Sequence, residues 1–376
     1  GVPFDIYPVN RRYNVAPGAT DNYLQNHFQL NYVHSRDCGP VWSATFNYSS
    51  GRGHYAYPDT KDALRNGLYV IRSDVKGRAG NLGYSAGAYL SHYCGLHFGE
   101  IGGSEWYRNK AVKNEADLWQ RLEWKVSDKL LLYEELQYRG VLHNMHGPDE
   151  YSQILDFNEV WNFLSPRLGM NLKFSGSSAA RVYAAMGNRE PSRSDLQAYA
   201  GCRPERMYDF EAAYTYSGRK FAAEANLFAM EYRDMLLETG ELNAAGYAIK
   251  SNVSKGYRRG IELSAAVEAA SWLRLDGNAC ISDNRYDSGK MILLSPSLVA
   301  GAQVAADLPL VGLFNLSCRY VGRQYWDNSS RTECLVPAYF TVDLSYNRDF
   351  FIRIGASRQM RLSPGFFLDN LLNRKY

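Results

Sequence analysis

Imidazole and indole side chains are concentrated in two stretches of the sequence that are suited to contacting a ligand. His143 and His146 lie three residues apart in HNMHGPDEY, and His97 and Trp106 lie in HFGEIGGSEW. Imidazole nitrogens are common ligands of iron and haem, and histidine changes charge near neutral pH. The four residues are therefore candidate ligand contacts. An exposed polar loop accounts for the same letters without any ligand.

Two further groups of side chains are candidates for weaker contacts. Arg189 and Arg193 in NREPSR would face an anionic ligand, or they would pair with neighbouring acids and order a loop. Tyr247 and Trp326 would stack on a ligand, or they would anchor the chain at a membrane interface. Both alternatives stay open for each pair.

The sequence carries no pattern that predicts catalysis, a resident metal or a cofactor. It lacks GxSxG, HExxH and P-loop motifs, and its Ser, His and Asp residues are not grouped. The cysteines are scattered without a CxxC motif, so we expect no zinc site, and their pairing is not fixed by the sequence (Cys38, Cys94, Cys202, Cys280, Cys318 and Cys334). We therefore expect a protein that is not an enzyme.

A two-residue rhythm determines which elements must hold these side chains. In LQNHFQLNYVH, residues 24–34, Leu24, Phe28, Leu30 and Tyr32 share one parity and polar residues occupy the other. Successive side chains of a strand point to opposite faces, so the segment has one apolar and one polar face. About sixteen such segments of roughly 9–14 residues follow one another, a length that suits tilted strands crossing a bilayer.

The segments are joined alternately by short turns and by long connections. Long connections are predicted over residues 51–65, 97–114, 143–153, 188–205 and 236–251. Outer-membrane barrels have short periplasmic turns and longer extracellular loops. The sequence therefore predicts an all-β fold, a transmembrane antiparallel up-and-down β-barrel, with a secreted soluble β-sandwich adhesin as the alternative.

Composition agrees with a membrane barrel and excludes other classes. Aromatic residues make up 14% of the chain, with 29 Tyr, and Tyr favours membrane interfaces. No run of about 18 apolar residues exists, which excludes a transmembrane helix. The net charge is only +3 and the basic residues are not clustered, so a nucleic-acid partner is not expected.

Several stretches, in chain order, make the sequence similar to one family. NVSKGYRRGIELS is the most specific, with Asn252, Tyr257, Gly260 and Glu262 matching a strand start of that family, and DNLLNRKY resembles a penultimate-strand signature in which Leu372 replaces the usual Phe. The others are GRGHY, HFGE, NREPSRSDL, PERMYDFE, TGELNAAG, SPSLVAG and YVGRQYWDNSS. Together they resemble the barrel of TonB-dependent outer-membrane receptors, with the iron-complex receptors of Bacteroidetes nearest in character.

The resemblance implies a barrel of about 22 strands around a plug, of which residues 1–376 would supply about sixteen strands, without the plug and without the last strand. It further implies a Gram-negative outer-membrane location, surrounding lipid, TonB acting through the plug, and uptake of an iron complex such as a siderophore or haem. Vitamin B12 or oligosaccharide uptake and a passive 16-strand porin are the alternatives.

Overall fold

A computed structural model describes residues 17–37, 39–198, 201–242, 248–287, 289–354 and 358–375. The chain divides into two compact units. Unit 1 comprises Gly1–Leu122 and Glu135–Leu164, and unit 2 comprises Glu123–Glu134 and Ser165–Tyr376. No helix in the described part of the chain is long and apolar enough to cross a membrane.

Nearly every described element is a β-strand. The strands are β1 Thr20–His34, β2 Val41–Ala56, β3 Thr60–Ala79, β4 Leu82–Ile101, β5 Ser104–Lys125, β6 Leu130–Pro148, β7 Ile154–Lys173, β8 Ser178–Arg189, β9 Glu205–Ser217, β10 Phe221–Leu242, β11 Ala248–Ala270, β12 Leu273–Tyr286, β13 Lys290–Met291, β14 Leu298–Leu308, β15 Gly312–Val321, β16 Gln324–Tyr325, β17 Leu335–Val336, β18 Tyr339–Asn347, β19 Phe350–Ile354, β20 Arg358–Leu362 and β21 Gly365–Leu368. One short helix, α1, spans Arg193–Ala198, and a 3₁₀ turn spans Thr332–Cys334. Each of the sixteen or so predicted segments overlaps at least one of these strands.

In unit 1, strands β1 to β4 pair antiparallel in chain order. Phe46 lies opposite Leu30 on one side and Ile71 on the other, and Ile71 lies opposite Leu90. These side chains share one face, which we call the apolar face, and the opposite side is the polar face. Aromatic contacts bound the apolar rows, Tyr32 with Trp42 at one end and Tyr48 with Tyr69 at the other.

In unit 2, the antiparallel order continues from the end of β7 through β8, β9, β10, β11, β12, β14, β15, β18 and β21. The register again joins apolar residues into rows. One row runs Leu227, Ile261, Ile281 and Leu298. The predicted all-β, antiparallel up-and-down order is therefore confirmed.

The apolar side chains on these rows are open to the surroundings. Leu30 is 61% exposed, Leu118 61% and Leu168 62%. Contiguous apolar surface on this scale is costly in water and is characteristic of a surface that meets lipid. Buried apolar clusters are small and lie near strand ends, around Met145 in unit 1 and around Ile292 in unit 2.

The prediction of long connections at 51–65, 97–114 and 143–153 is wrong. Strand β2 continues to Ala56 and β3 begins at Thr60, while β4 continues to Ile101 and β5 begins at Ser104. The ladder runs to the tip because each residue keeps a partner, as His54 does with Ala63. In unit 2 the predicted connection at 236–251 is also mostly strand, whereas 188–205 is a true connection that carries α1.

Candidate ligand-binding surfaces

The two histidines predicted to act together in a loop lie on opposite faces of strand β6. His143 is 7% exposed and contacts the Phe157 ring edge-on, with ring centroids 5.4 Å apart. His146 is exposed, and its Nδ1 lies 2.6 Å from Asp156 Oδ1. An odd separation along a strand sends side chains to opposite faces. The pair therefore cannot converge on one ligand, and its placement in a loop is wrong.

His97 and Trp106 are separated in the same way. His97 lies in β4 opposite Leu64, half-buried, on the polar face with Tyr93 and Gly95. Trp106 lies in β5, is 42% exposed, and shares its parity with Leu118 of the apolar face. Among the four predicted contacts of unit 1, His97 and His143 face the polar side, and Trp106 and His146 do not.

Buried residues beside the polar-face histidines were not anticipated from the sequence. Tyr107 follows Trp106, is 6% exposed, and donates its hydroxyl to Asp62 Oδ1 over 3.0 Å. Asn109 is 1% exposed and donates to the Pro148 carbonyl oxygen over 3.0 Å. The alternation within β5 was the available signal, since it places residues 107 and 109 on one face.

In unit 2, Arg189 and Arg193 lie in a segment fastened by side-chain contacts. Arg189 pairs with Glu205 at 3.4 Å, and the same Glu205 oxygen accepts a bond from Leu236 N at 3.0 Å. Arg193 Nε donates to Gln197 Oε1 at 3.3 Å within α1. Both arginines therefore have partners within unit 2, and contact with an anionic ligand stays a prediction.

Asp195 closes the start of α1. Its Oδ2 accepts from Ser192 N at 2.9 Å, while Asp195 N donates to Ser192 Oγ at 3.2 Å, a reciprocal arrangement of the capping-box type. Lys250 Nζ lies 2.9 Å from Asp195 Oδ1. Burial alone would raise the pKa of the Asp195 carboxyl, but Lys250 and the Ser192 bonds outweigh it and lower that pKa.

The loop that carries Trp326 is held by its two following residues. Trp326 is 56% exposed, whereas Asp327 is 5% and Asn328 2% exposed. The Asn328 side chain accepts from Leu293 N and donates to the Glu238 carbonyl oxygen, both at 2.8 Å. The Asp327 carboxylate accepts from Ser329 N at 3.0 Å and from Cys334 Sγ at 3.1 Å. Asp327 and Asn328 were not predicted, although Asx residues favour such turns.

Asn252 ties two connections of unit 2 together. Its Oδ1 accepts from Arg203 N at 2.7 Å, and its Nδ2 donates to the Asp234 carbonyl oxygen at 2.7 Å. Asn252 was singled out only by its resemblance to a family motif, and the structure supplies its role. Tyr247, the remaining predicted contact, lies outside the described residues.

The described residues contain no group of three His, Cys, Asp or Glu side chains arranged to hold a metal ion. Five cysteines are free thiols in the same part of the chain, and Cys38 lies outside it.

Comparison with known proteins gives a family and a fold. The family model described as TonB dependent receptor-like, beta-barrel matches residues 2–357. A search of curated proteins gives no match. The ferric yersiniabactin uptake receptor FyuA from Yersinia pestis is 17% identical with a TM-score of 0.72, covering 96% of this chain and 58% of that one.

Two further solved structures are similar. The ferric citrate transporter FecA is 12% identical with a TM-score of 0.79, over 100% of this chain and 61% of that chain. The copper transporter OprC is 14% identical with a TM-score of 0.79, over 96% and 61%. The chain thus spans about three fifths of the length of the solved proteins that it matches.

Proposed function

The chain belongs to the TonB-dependent receptor β-barrel family, and we propose that it forms the wall of an outer-membrane receptor that takes up an iron complex, a siderophore or haem. Members of this family are transport receptors and not enzymes. TonB would supply the energy through a plug segment, and the ligand would meet the polar face of the strands.

The observation that carries the proposal is the exposed apolar face bounded by aromatic residues, with a polar face behind it. In unit 2 the side opposite the row of Leu227 and Ile261 is polar: Asn226 Nδ2 donates to Glu211 at 3.1 Å and to Glu262 at 3.4 Å. Such a sheet separates lipid on one side from a polar solute on the other.

Support for an iron complex comes from two sources. FyuA and FecA are named for ferric yersiniabactin and ferric citrate, whereas OprC is named for copper. In this chain, His97 and His143 share the polar face of unit 1 with the Tyr107 hydroxyl and the Trp161 ring. Imidazole and aromatic groups are suited to haem and to aromatic iron chelators.

Growth after deletion of the gene tests the proposal. We expect the deletion strain to lose growth on at least one siderophore or on haem as the sole iron source, and to regain it on complementation. Unchanged uptake of every siderophore and of haem would reject an iron cargo. Copper, vitamin B12 and oligosaccharide uptake are measured in parallel, and loss of one of these instead would reassign the cargo.

A pair of variants tests which face meets the ligand. We expect His97→Ala to weaken binding of the transported complex roughly tenfold, since it removes a polar contact on the polar face. His146→Ala is the matched control, because His146 lies on the opposite face and should leave the dissociation constant unchanged. Equal effects of both changes would show that the polar face does not receive the ligand.

A passive porin is the competing hypothesis, and it predicts a different energy dependence. Uptake by a receptor of this family would stop when TonB is deleted. Uptake that persists without TonB and rises in proportion to the solute concentration would favour the porin.

A further inference from the structure

Two arginines face each other on the apolar-face side of unit 1. Arg52 of β2 and Arg65 of β3 are register partners, and both are exposed. Side chains directly opposite on adjacent antiparallel strands have Cβ atoms about 5 Å apart, and like charges in that position destabilise the sheet. Within the described part of the chain, neither guanidinium is paired with a carboxylate. An anion bound between them would remove the repulsion.

A third cation adjoins this pair. The Phe98 ring lies 5.8 Å from the Arg65 guanidinium and 5.0 Å from that of Arg108. Arg108 is already paired with Glu105 at 2.5 Å. Lys61, further along β3, is paired with Glu100 at 3.6 Å. Of these four cations, Arg52 and Arg65 are the two that form no ion pair with a carboxylate among the described residues.

The arginines stand just beyond the aromatic residues that end the apolar rows. Tyr48 and Tyr69 are in contact, with ring centroids 4.8 Å apart, and Tyr69 lies 6.2 Å from His92. Aromatic residues of this kind mark the level of the lipid headgroups. Arg52 follows Tyr48 by four residues, or roughly 13 Å along the strand.

A row of small residues lies between the arginines and the aromatic residues. Ser50 is opposite Gly67, and Gly67 is opposite Cys94. A Cβ on Gly67 would touch only Cys94 Sγ, at 3.5 Å, and Tyr69 Cε2, at 4.0 Å. Below this row, Phe46, Ile71 and Leu90 continue the same face. Along the strands, this face therefore presents the two arginines, then the row of small residues, and then an apolar surface. A lipid has its charged headgroup and its apolar acyl chains in the same order.

We propose that Arg52 and Arg65 bind the phosphate of a lipid headgroup in the leaflet that surrounds this end of the strands, with the acyl chains lying along the apolar rows. Guanidinium groups bind phosphate oxygens through two parallel hydrogen bonds, and each basic residue near an anionic membrane surface adds to the attraction. In a Gram-negative outer leaflet, the matching chemistry is a phosphorylated glycolipid. The proposal rests on insertion of the barrel and not on the identity of the cargo.

Lipid binding to the full-length protein in detergent tests the proposal. The probe is bisphosphorylated lipid A, with dephosphorylated lipid A in a second arm, and a chelator removes bridging divalent cations. We expect Arg52→Gln/Arg65→Gln to lower affinity for the phosphorylated probe roughly 10- to 30-fold and to leave the dephosphorylated probe unaffected. Arg72→Gln is the control, since Arg72 lies on β3 with opposite parity and pairs with Asp74.

Other outcomes would overturn the assignment. Equal binding of phosphorylated lipid A by the double variant and the native protein would do so. Displacement of lipid A by millimolar inorganic phosphate would assign the arginines to a soluble anion. Arg52→Lys/Arg65→Lys keeps both charges and should retain part of the affinity for phosphorylated lipid A. If this variant keeps the heat-modifiable gel mobility of the native fold but loses all affinity, the arginines act through packing and not through their charge.

Discussion

The strand ends of unit 1 and the connections of unit 2 satisfy their backbone hydrogen bonds in different ways. In unit 1 the strands pair almost to their tips, so that β2 and β3 are separated by only three residues. In unit 2 the segments around α1 and Asn328 leave the ladder, and buried side chains bond their backbone groups. An unpaired buried backbone group costs free energy in either region. A loop-like composition therefore does not predict whether the backbone of a segment is paired in the strand ladder or is bonded by buried side chains.

The largest effect is expected where one buried side chain serves two backbone groups. Asn328→Ala would leave Leu293 N and the Glu238 carbonyl oxygen without their partner, at a cost of about 3 kcal/mol. We expect rapid proteolysis within residues 322–338 while the strand ladder stays protected. The control is Asn347→Ala at an exposed position. Equal cleavage of both variants would show that side-chain bonding does not hold the loop.

Substitution of one glycine tests whether strand pairing holds the strand ends of unit 1. Gly147 has φ of +112°, and a Cβ there would collide with the Arg108 carbonyl oxygen. We expect Gly147→Ala to cost about 2–3 kcal/mol and to raise hydrogen exchange at the tips of β5 and β6. Gly102→Ala is the matched control, because Gly102 has φ of +58° and a Cβ there would meet nothing within 4 Å. If both variants exchange alike, the tip does not depend on Gly147.

The ion pair at α1 should make the unit 2 connection sensitive to acid. The pKa of Asp195 is lowered from 3.8, so its contribution is present above about pH 4 and is lost as the pH falls through the folded-state pKa. We expect hydrogen-exchange protection of the Leu196 amide, corrected for intrinsic rate, to fall several-fold between about pH 5 and pH 2.5. Asp195→Asn should abolish this dependence. A native protein whose Leu196 protection is constant over that range would contradict the linkage.

The smallest effect is expected at an exposed ion pair beside the same connection. The Arg189 side chain is 61% exposed and pairs with Glu205. Because an exposed ion pair contributes little, Arg189→Gln should change the free energy of unfolding by less than about 0.5 kcal/mol. Glu205→Ala should cost more, since Leu236 N also loses its acceptor. Thermal unfolding in detergent compares the two, and a larger cost for Arg189→Gln would mean that its charge orders the connection.

Much of the fold could be predicted because its signal is local. The parity of Phe46, Leu118 and Leu227 in the sequence predicts the face on which each is found. The ends of strands were predicted less well, since His54 and Ala63 carry no alternation signal of their own and depend on each other as partners.

The candidate site was harder to predict because it depends on faces and on partners distant in sequence. His143 and His146 look like a pair in a loop, but the continuation of β6 separates them. Asn328 looks like an ordinary loop residue, yet it bonds Glu238, which lies ninety residues earlier in the chain.

The sequence by itself determined that strands form and which side chains share a face, because side-chain alternation is a property of each extended segment. Only the tertiary structure decided how far each strand runs and which residues oppose one another, because cross-strand register is set by the whole ladder. Arg52 and Arg65 are the clearest case. They lie thirteen positions apart in the sequence, and only the register of β2 on β3 places them opposite each other.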